Sequence, residues 1–349
     1  MKRLAGFASI VLLGVACRVV EKKAKHADPE NVAKVRVFYG TDRKPTGHST
    51  PGRFYGAESG ELAYGVCEVS VPREHRMGQT EISWGRKERD PRPETHVMVV
   101  SLQPRPRDAF LGELRAAAQG RPAFVFIHGY NVEFDDAVRR TGQMAYDLGF
   151  EGTPLSYSWP SAGTTAGYLA DEQAVQRAVP RFRQFLEDVI AGSGATVVHV
   201  VAHSMGNRLL VAALAEIASR PAPRFGEAVF AAPDVDADFF RRTYGALRPA
   251  FARGTLYASS NDVALKASKE IHRGARAGDS GDGIVLTAGL ESVDVSGVDT
   301  SLLGHSYYGD NKSVISDLRL LLVTRAGAAQ RPGLTARAKS GLPYWSFRN

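Results

Sequence analysis

The stretch VVHVVAHSMG, residues 197–206, decides the fold of this 349-residue chain. Its first six residues are apolar apart from His199, and such a nearly unbroken apolar run is typical of a strand buried on both faces of a parallel sheet. Residues 205–219, which follow, have the apolar spacing of an amphipathic helix. The stretch therefore predicts a buried strand, a sharp turn at Ser204 and a helix.

The turn at Ser204 has the small neighbours that a strand-to-helix turn around a nucleophile requires. Ala202 lies two residues before the serine and Gly206 two residues after it, where larger side chains would collide. Ala202 replaces the usual first glycine of this motif, and its methyl group is the smallest side chain available. At a helix N-terminus, negative charge on Ser204 Oγ is favoured. This context favours a nucleophilic serine over the alternative, a serine that only caps the helix.

The same alternation of apolar runs and amphipathic segments continues on both sides of this stretch. It is typical of βαβ units, in which helices cover both faces of a mainly parallel sheet, so the predicted fold class is α/β. Strands are predicted at 35–39, 62–71, 96–102, 123–128, 155–159, 196–202, 227–232, 254–259 and 293–295, and helices at 108–119, 134–148, 169–191, 205–219, 236–247 and 263–273.

A second turn follows the predicted strand at 123–128. The strand opens into His128 and Gly129, and beside a nucleophile of this kind the corresponding loop supplies one backbone N–H of the oxyanion hole. The residue after the nucleophile supplies the other, so Tyr130 and Met205 are the predicted donors. Gly129 permits a close approach of the loop. We interpret His128 as a buried side chain that bonds to the loop backbone, not as a catalytic group.

Chain order restricts the partners of the serine, because in this arrangement the acid follows the serine and the histidine comes last. His305 follows the last predicted strand and a loop and is preferred to His272, which lies in a predicted helix. Asp262, at the end of the strand at 254–259, is the preferred acid, and Asp234, after the preceding strand, is the alternative.

Residues 35 to about 324 resemble a family of uncharacterised bacterial α/β-hydrolases of the esterase/lipase type. The resemblance implies the α/β-hydrolase fold and a catalytic triad of Ser204, Asp262 and His305, and it names no substrate. It also places Trp159, Tyr168 and Asp171 near the mouth of the site, although a Tyr and an Asp three residues apart more often share one helix face. The stretches that carry it are VFYGTDR at 37–43, YG at 64–65, VSVP at 69–72, HGYN at 128–131, SWPS at 158–161, AHSMG at 202–206, APDVD at 232–236 and GHSYY at 304–308.

The positive charge of the chain is concentrated at its ends. Residues 1–25 contain six Lys or Arg and one Glu, and residues 325–349 contain five and no acid, whereas the whole chain has a net charge of +7. The body is therefore mildly acidic, which argues against a nucleic-acid partner. No group of His, Cys or Glu has the spacing of a metal site, and no cofactor is implied. The expected substrate is a small-molecule or lipid-like ester.

The first 17 residues have the layout of a secretory signal: Lys2 and Arg3, an apolar run to Ala16, then Cys17. The segment predicts export to the periplasm or cell envelope, either as a plain secreted protein or as a lipoprotein anchored through Cys17. The only other cysteine, Cys67, lies in a strand-like run and is predicted to be a packed core residue, so no disulfide framework is expected. The sequence does not indicate an oligomeric state.

The domain prediction follows from these segments. A signal over 1–17 and a flexible linker over 18–34 precede one hydrolase domain over 35–325, in which N-terminal strands and loops (35–107) precede the core (108–325). Residues 326–349 are rich in Gly, Pro, Ala and Arg and are predicted to form a disordered basic tail. Because a fold does not fix a function, the alternative to a hydrolase is a non-catalytic binding protein of the cell envelope.

Overall fold

A computed structural model describes residues 32–78, 91–219, 225–298 and 312–347. The strands are β1 Val32–Pro45, β2 Tyr55–Pro72, β3 Met98–Arg105, β4 Pro122–Ile127, β5 Thr153–Ser158, β6 Val197–His203, β7 Phe225–Ala231, β8 Phe251–Ala258, β9 Leu290–Asp294, β10 Leu334–Lys339 and β11 Leu342–Phe347. The helices are α1 Arg107–Ala118, α2 Phe134–Asp147, α3 Tyr168–Gly192, α4 Gly206–Ile217, α5 Ala237–Leu247, α6 Val263–His272 and α7 Lys312–Leu322.

The described strands form one sheet in the order β10-β11-β9-β8-β7-β6-β4-β5-β1-β2-β3. The strands from β9 through to β1 are paired in parallel, and β11 joins β9 in parallel. Antiparallel pairing is confined to the two edges, where β1, β2 and β3 form one group and β10 and β11 form a hairpin. The prediction of a mainly parallel α/β sheet is therefore confirmed.

The core lies on both faces of this sheet because successive residues of a strand point to opposite sides. In β4, Val125 and Ile127 pack into one cluster with side chains of α1, α3, α4 and α5. Phe124 and Phe126 pack into another cluster, with side chains of α2 and α7. Both faces of the strand are buried, which explains its unbroken apolar run.

The strands and helices predicted from apolar periodicity agree closely with the structure between β1 and β9. The helix predicted at 134–148, for example, is α2 Phe134–Asp147. Helix α7 was not predicted from the sequence. Cys67 is buried in the core between β1, β2 and β3, as predicted. Among the described residues, no helix has the length and apolarity needed to cross a membrane.

The prediction of a disordered tail over 326–349 is wrong for residues 334–347, which form the β10–β11 hairpin. Ser340 and Gly341 make its turn, with φ values of 50° and 77° that suit a two-residue hairpin connection. Leu334 and Phe347 are buried in the core. The apolar residues of this segment are scattered and do not follow a clear strand period, which concealed the strand pair. The predicted linker is also too long, since β1 begins at Val32.

A buried arginine that precedes β10 binds side chains of β8, β9 and α7. The side chain of Arg331 is fully buried, and its Nη1 donates to Asp317 Oδ2 at 2.5 Å and to Tyr257 Oη at 2.9 Å. Its Nη2 lies 3.1 Å from Glu291 Oε2, at the start of β9. Burial raises the pKa of Asp317, so the carboxylate depends on Arg331 to remain charged.

We expect Arg331→Met to lower the free energy of unfolding by about 3 kcal/mol, because removing one partner of a buried ion pair leaves the other charge uncompensated. Urea unfolding of both proteins measures the difference. Arg337→Met, at an exposed arginine of β10, is the control and should change the free energy of unfolding by less than about 0.5 kcal/mol. Equal losses in the two variants would contradict this role of Arg331.

Candidate active site

Ser204 lies at the turn between β6 and α4, at the carboxyl edge of the parallel sheet. Its φ of 50° falls in the left-handed region, which costs a residue other than glycine about 1–3 kcal/mol and persists only where neighbouring contacts impose it. Those contacts are present: Ser204 N–H donates to Ala231 O (3.0 Å), and Ser204 O accepts from Asn207 N–H (3.1 Å) and Asp234 N–H (3.2 Å). The predicted sharp turn is therefore confirmed.

The requirement for small residues around this turn is visible in the packing. A Cβ atom on Gly206 would lie 2.4 Å from His128 O, which leaves no room for any side chain. A Cβ atom on Gly129 would lie 2.9 Å from the Cβ of Ser204. The turn at Ser204 and the oxyanion loop, which we define as residues 128–132, are thus in direct contact.

The two predicted oxyanion donors belong to these two contacting segments. Met205 is fully buried at the N-terminus of α4, where the first N–H groups of a helix have no partner within the helix. Tyr130 is partly buried, and the edge of its ring meets the ring of Tyr168 with centroids 5.3 Å apart. Burial raises the pKa of Tyr130, so its hydroxyl is neutral at physiological pH. Ser204 itself is buried, with 7% of the residue exposed.

His128 has the structural role predicted for it. Its Nδ1 lies 2.7 Å from Gly129 O and must donate, because a carbonyl only accepts. Its Nε2 then accepts from Ser158 Oγ at 3.2 Å. The ring stacks on Trp159 with centroids 4.9 Å apart, and burial lowers the pKa of His128 to about 3. The imidazole is therefore neutral and holds the oxyanion loop in place.

This low pKa predicts a loss of stability in acid. In the unfolded chain the pKa of His128 returns to about 6.5, so the unfolded state binds the proton first as the pH falls. Between about pH 6.5 and pH 4 the wild type should lose about 3 kcal/mol through this group, at about 1.4 kcal/mol for each pH unit. In His128→Asn the side-chain amide can still donate to Gly129 O, so we expect a smaller loss over the same range.

Urea unfolding of the wild type and of His128→Asn at several pH values measures this difference. His48→Asn, at an exposed histidine, is the matched control and should follow the wild-type pH dependence. Parallel pH curves for the wild type and His128→Asn would show that His128 does not contribute to acid sensitivity.

The two candidate acids both follow strands at the carboxyl edge of the sheet, in different surroundings. Asp262 comes after β8 and is 9% exposed, and its Oδ1 accepts from Leu265 N–H (3.0 Å) in the first turn of α6. Asp234 comes after β7 and accepts from Tyr168 Oη (2.6 Å) and Ser268 Oγ (2.5 Å) on its two separate oxygens.

Two arginines complete the surroundings of Asp234. Arg208 Nη2 lies 3.3 Å from Oδ2, and Arg276 Nε lies 3.4 Å from Oδ1. We call Tyr168, Arg208, Asp234, Ser268 and Arg276 the Asp234 cluster. It occupies both carboxylate oxygens of Asp234 with hydroxyl groups and cations.

The candidate histidines differ in what the structure shows. His305 lies outside the described residues. His272, at the end of α6, is beside the Asp234 cluster: its Nε2 is 2.8 Å from Glu172 Oε1 and 3.3 Å from Tyr168 Oη. Within the described ranges, no group of three or more metal-binding side chains is assembled.

Sequence reasoning did not single out Arg43, and it placed Asp171 near the mouth of the site only through the family resemblance. Both are buried against the oxyanion loop: Arg43 Nη2 donates to Val132 O (2.7 Å), and Asp171 Oδ2 accepts from Asn131 N–H (3.3 Å). Tyr168 and Asp171 thus have different partners. The sequence signal for Arg43 was its place at the end of the stretch 37–43, which carries the family resemblance.

Comparisons with known proteins give one family match. A family model described as "Alpha/beta hydrolase of unknown function (DUF900)" matches residues 107–325. None of the curated proteins compared with this chain matches it.

Several solved structures are similar over much of the chain. The protein Atu2452 of unknown function from Agrobacterium tumefaciens str. C58 is 18% identical, with 61% of this chain and 95% of that chain covered and a TM-score of 0.35. An esterase from Pyrobaculum calidifontis is 12% identical, with coverages of 85% and 86% and a TM-score of 0.38. The HSL-homolog EstE7 from a metagenome library is also 12% identical, with coverages of 85% and 87% and a TM-score of 0.38. Likenesses this distant carry no argument about activity.

Proposed function

Because the chain belongs to the DUF900 family of α/β-hydrolases, whose model matches residues 107–325, we propose that it is a serine hydrolase that cleaves carboxylic esters through an acyl-enzyme on Ser204. One observation carries the proposal. Ser204 is held at a φ of 50° between β6 and α4, and it lies against Gly129 of the oxyanion loop, which follows β4. A strained serine at this position of an α/β-hydrolase sheet is the arrangement of a nucleophile.

In the proposed reaction, Ser204 Oγ adds to the ester carbonyl carbon while His305 takes the hydroxyl proton. The carbonyl oxygen becomes an oxyanion that accepts hydrogen bonds from the N–H groups of Tyr130 and Met205. His305 then gives the proton to the departing alcohol, and the acyl group remains on Ser204. Water, activated by the same histidine, releases the acid. Asp262 orients the imidazole and stabilises its charged form.

The surroundings of Asp234 do not favour it as the acid of the triad. Both oxygens of Asp234 are engaged by Tyr168, Ser268 and two arginines, so a histidine would have to displace one of these partners. The position of Asp262 after β8 suits an acid that precedes the histidine in the chain.

Labelling with a fluorophosphonate tests the proposal, because this reagent phosphonylates activated serines. We expect one modified peptide, with the added mass on Ser204, and turnover of nitrophenyl esters. A series of esters of increasing acyl length then distinguishes a small-molecule ester from a lipid-like substrate. Folded protein that neither labels nor hydrolyses esters would contradict the proposal and favour a non-catalytic binding protein of the cell envelope.

We also propose export to the cell envelope, on the pattern of residues 1–17, which lie outside the described part of the chain. Cell fractionation of the wild type and of Cys17→Ser tests both forms of this proposal. If Cys17 is lipidated, the wild type should sediment with membranes and the variant should be released, since an acyl anchor is the only tether lost. Wild type in the soluble periplasmic fraction would exclude the anchor, and full-length protein in the cytoplasm would exclude export.

A further inference from the structure

The oxyanion loop is held by two buried charged side chains that the proposed reaction does not use. We propose that Arg43 and Asp171 form a clamp that fixes residues 128–132 in the conformation needed to bind the oxyanion. Neither side chain is assigned contact with substrate, so both are positioning residues. The inference rests on the proposed function and adds to it the means by which one half of the oxyanion hole is kept in place.

Successive peptide units of the loop are each fixed by a different side chain. The unit that carries Tyr130 N–H is held through its carbonyl, since His128 Nδ1 donates to Gly129 O. The next unit is held through Asn131 N–H, which donates to Asp171 Oδ2 at 3.3 Å. Asn131 has a φ of 58°, a left-handed conformation that needs contacts of this kind to persist.

The following two peptide units are fixed in the same manner. Val132 N–H donates to Ser161 Oγ at 3.1 Å, and this hydroxyl in turn donates to Asp171 Oδ2 at 2.5 Å. Val132 O accepts from Arg43 Nη2 at 2.7 Å. The Asp171 carboxylate therefore binds the oxyanion loop directly through Asn131 N–H and indirectly through Ser161 Oγ, and the Arg43 guanidinium binds a carbonyl of the same loop.

Arg43 extends the clamp to the neighbouring loop, residues 158–161. Its Nε donates to Ser158 Oγ (2.9 Å), and its Nη1 donates to Ser161 O (3.0 Å) and to Gly56 O (3.0 Å). These acceptors are neutral oxygen atoms, so the cation organises loops instead of closing a single ion pair. Burial lowers the pKa of Arg43 to about 10, and it remains charged at neutral pH.

Asp171 is the counterpart of this cation. It is 1% exposed, and its Oδ1 accepts from Ala162 N–H at 2.7 Å while its Oδ2 binds Asn131 and Ser161. The opposite charges of Asp171 and Arg43 meet at Ser161, whose hydroxyl binds the carboxylate and whose carbonyl binds the guanidinium. Two sequence stretches, VFYGTDR at 37–43 and SWPS at 158–161, thereby acquire one common physical role.

Such a clamp matters because oxyanion donors act only when they are held in position before the charge develops. Losing one donor of an oxyanion hole costs about 10²–10³ in kcat, and a displacement of about 1 Å costs a similar factor. Loosening the loop removes an interaction made in the transition state and leaves binding of the ground-state substrate intact. The predicted signature is a fall in kcat without a rise in KM.

Asp171→Asn is the main test, because the amide keeps the shape of the side chain and lacks the second acceptor oxygen. We expect kcat for a nitrophenyl ester to fall about 10²-fold, with KM within about threefold of wild type. The affinity for a trifluoromethyl ketone should fall by the same factor as kcat. This inhibitor is captured as a hemiketal: Ser204 Oγ bonds to the ketone carbon, the C=O π bond opens so that the carbonyl oxygen becomes the oxyanion, and the serine proton passes to His305 as in the proposed reaction. The affinity for the product alcohol should not change.

Asp188→Asn is the matched control on the same helix. Asp188 is also buried and accepts hydrogen bonds from Tyr64 Oη (2.5 Å) and Gln184 Nε2 (3.0 Å), and it lies about 25 Å along α3 from Asp171. The Asp188→Asn variant should be less stable than the wild type, whereas its kcat per folded molecule and its affinity for the ketone should be unchanged. Ser161→Ala, a smaller change that keeps both charges, should lower kcat about 10-fold with KM unchanged and serves if Asp171→Asn does not fold.

Three outcomes distinguish a failure of the clamp proposal from a failure of the proposed function. A wild type that neither labels with fluorophosphonate nor binds the ketone overturns the proposed function and the clamp together. An active wild type with unchanged kcat and ketone affinity in the folded Asp171 and Ser161 variants overturns the clamp alone. A parallel fall in kcat and ketone affinity, absent from Asp188→Asn, supports it.

Discussion

Ser204→Ala should lower ester turnover by about 10⁵–10⁶-fold and abolish labelling by a fluorophosphonate, since the variant lacks the atom that attacks the ester. The fold should survive the change. The contacts that impose the left-handed turn are made by the backbone N–H and C=O of residue 204, which alanine retains. Both serine and alanine bear a Cβ atom, so the strain at a φ of 50° is unchanged.

Rates with nitrophenyl esters, together with circular dichroism and urea unfolding, measure the activity and stability of the variant. Ser292→Ala makes the same substitution at another buried serine, which lies on β9. The hydroxyl of Ser292 donates to Val285 O at 2.6 Å. This control should keep wild-type turnover at some cost in stability. A folded Ser204→Ala protein that still becomes labelled would remove Ser204 from the mechanism.

Asp262→Asn should lower kcat by about 10⁴-fold, the size of loss seen in serine proteases when the triad carboxylate becomes an amide. In the proposed mechanism, the amide cannot stabilise the imidazolium that would form when His305 accepts the serine proton. Asp234→Asn should act differently. It weakens a carboxylate paired with Arg208 and Arg276, so its main effect should be on the free energy of unfolding.

The comparison requires kcat per folded molecule, with the folded fraction measured for each variant. Measuring kcat below the unfolding transition separates the two effects, because a loss of stability alone leaves the turnover of folded molecules unchanged. If Asp234→Asn lowered kcat more than Asp262→Asn, the triad acid would have to be moved to the end of β7. A small and equal effect of both substitutions would contradict a carboxylate-assisted triad.

The central sheet was predictable because its determinants are local in sequence. Strand β6 is an apolar run followed at once by a small-residue turn and an amphipathic helix, and each of these features is contained in about ten residues. The turn at Ser204 was predictable for the same reason. Its strain and its close contacts follow from Ala202 and Gly206, which can be read directly from the sequence.

The support around the site was not predictable in this way, because it joins residues far apart in the chain. Arg43 binds Val132, 89 positions later, and Asp171 reaches back 40 positions to Asn131. A charged residue on a strand or helix is usually exposed, so nothing local in the sequence marked Arg43 or Asp171 as buried. The Asp234 cluster has the same character, since Asp234 binds Tyr168, 66 positions earlier.

The tail was misjudged for a related reason. Its basic residues were attributed to a disordered segment, whereas Arg331 is the fully buried partner of Asp317 and Glu291. The alternation of single apolar residues with arginine and lysine in β10 is weak as a strand signal. In the structure it is a strand that pairs along its length with β11, which in turn pairs with β9.

The position of this hairpin has a consequence for self-association. Without β10 and β11, the backbone of β9 would be left unpaired along its outer side, and such an edge recruits strands from other molecules. The hairpin covers that edge and moves the boundary of the sheet to β10, which carries the exposed Arg337. Cations along an outer strand repel a second copy of the same strand. A chain ended at residue 325 should therefore aggregate where the full-length chain remains dispersed.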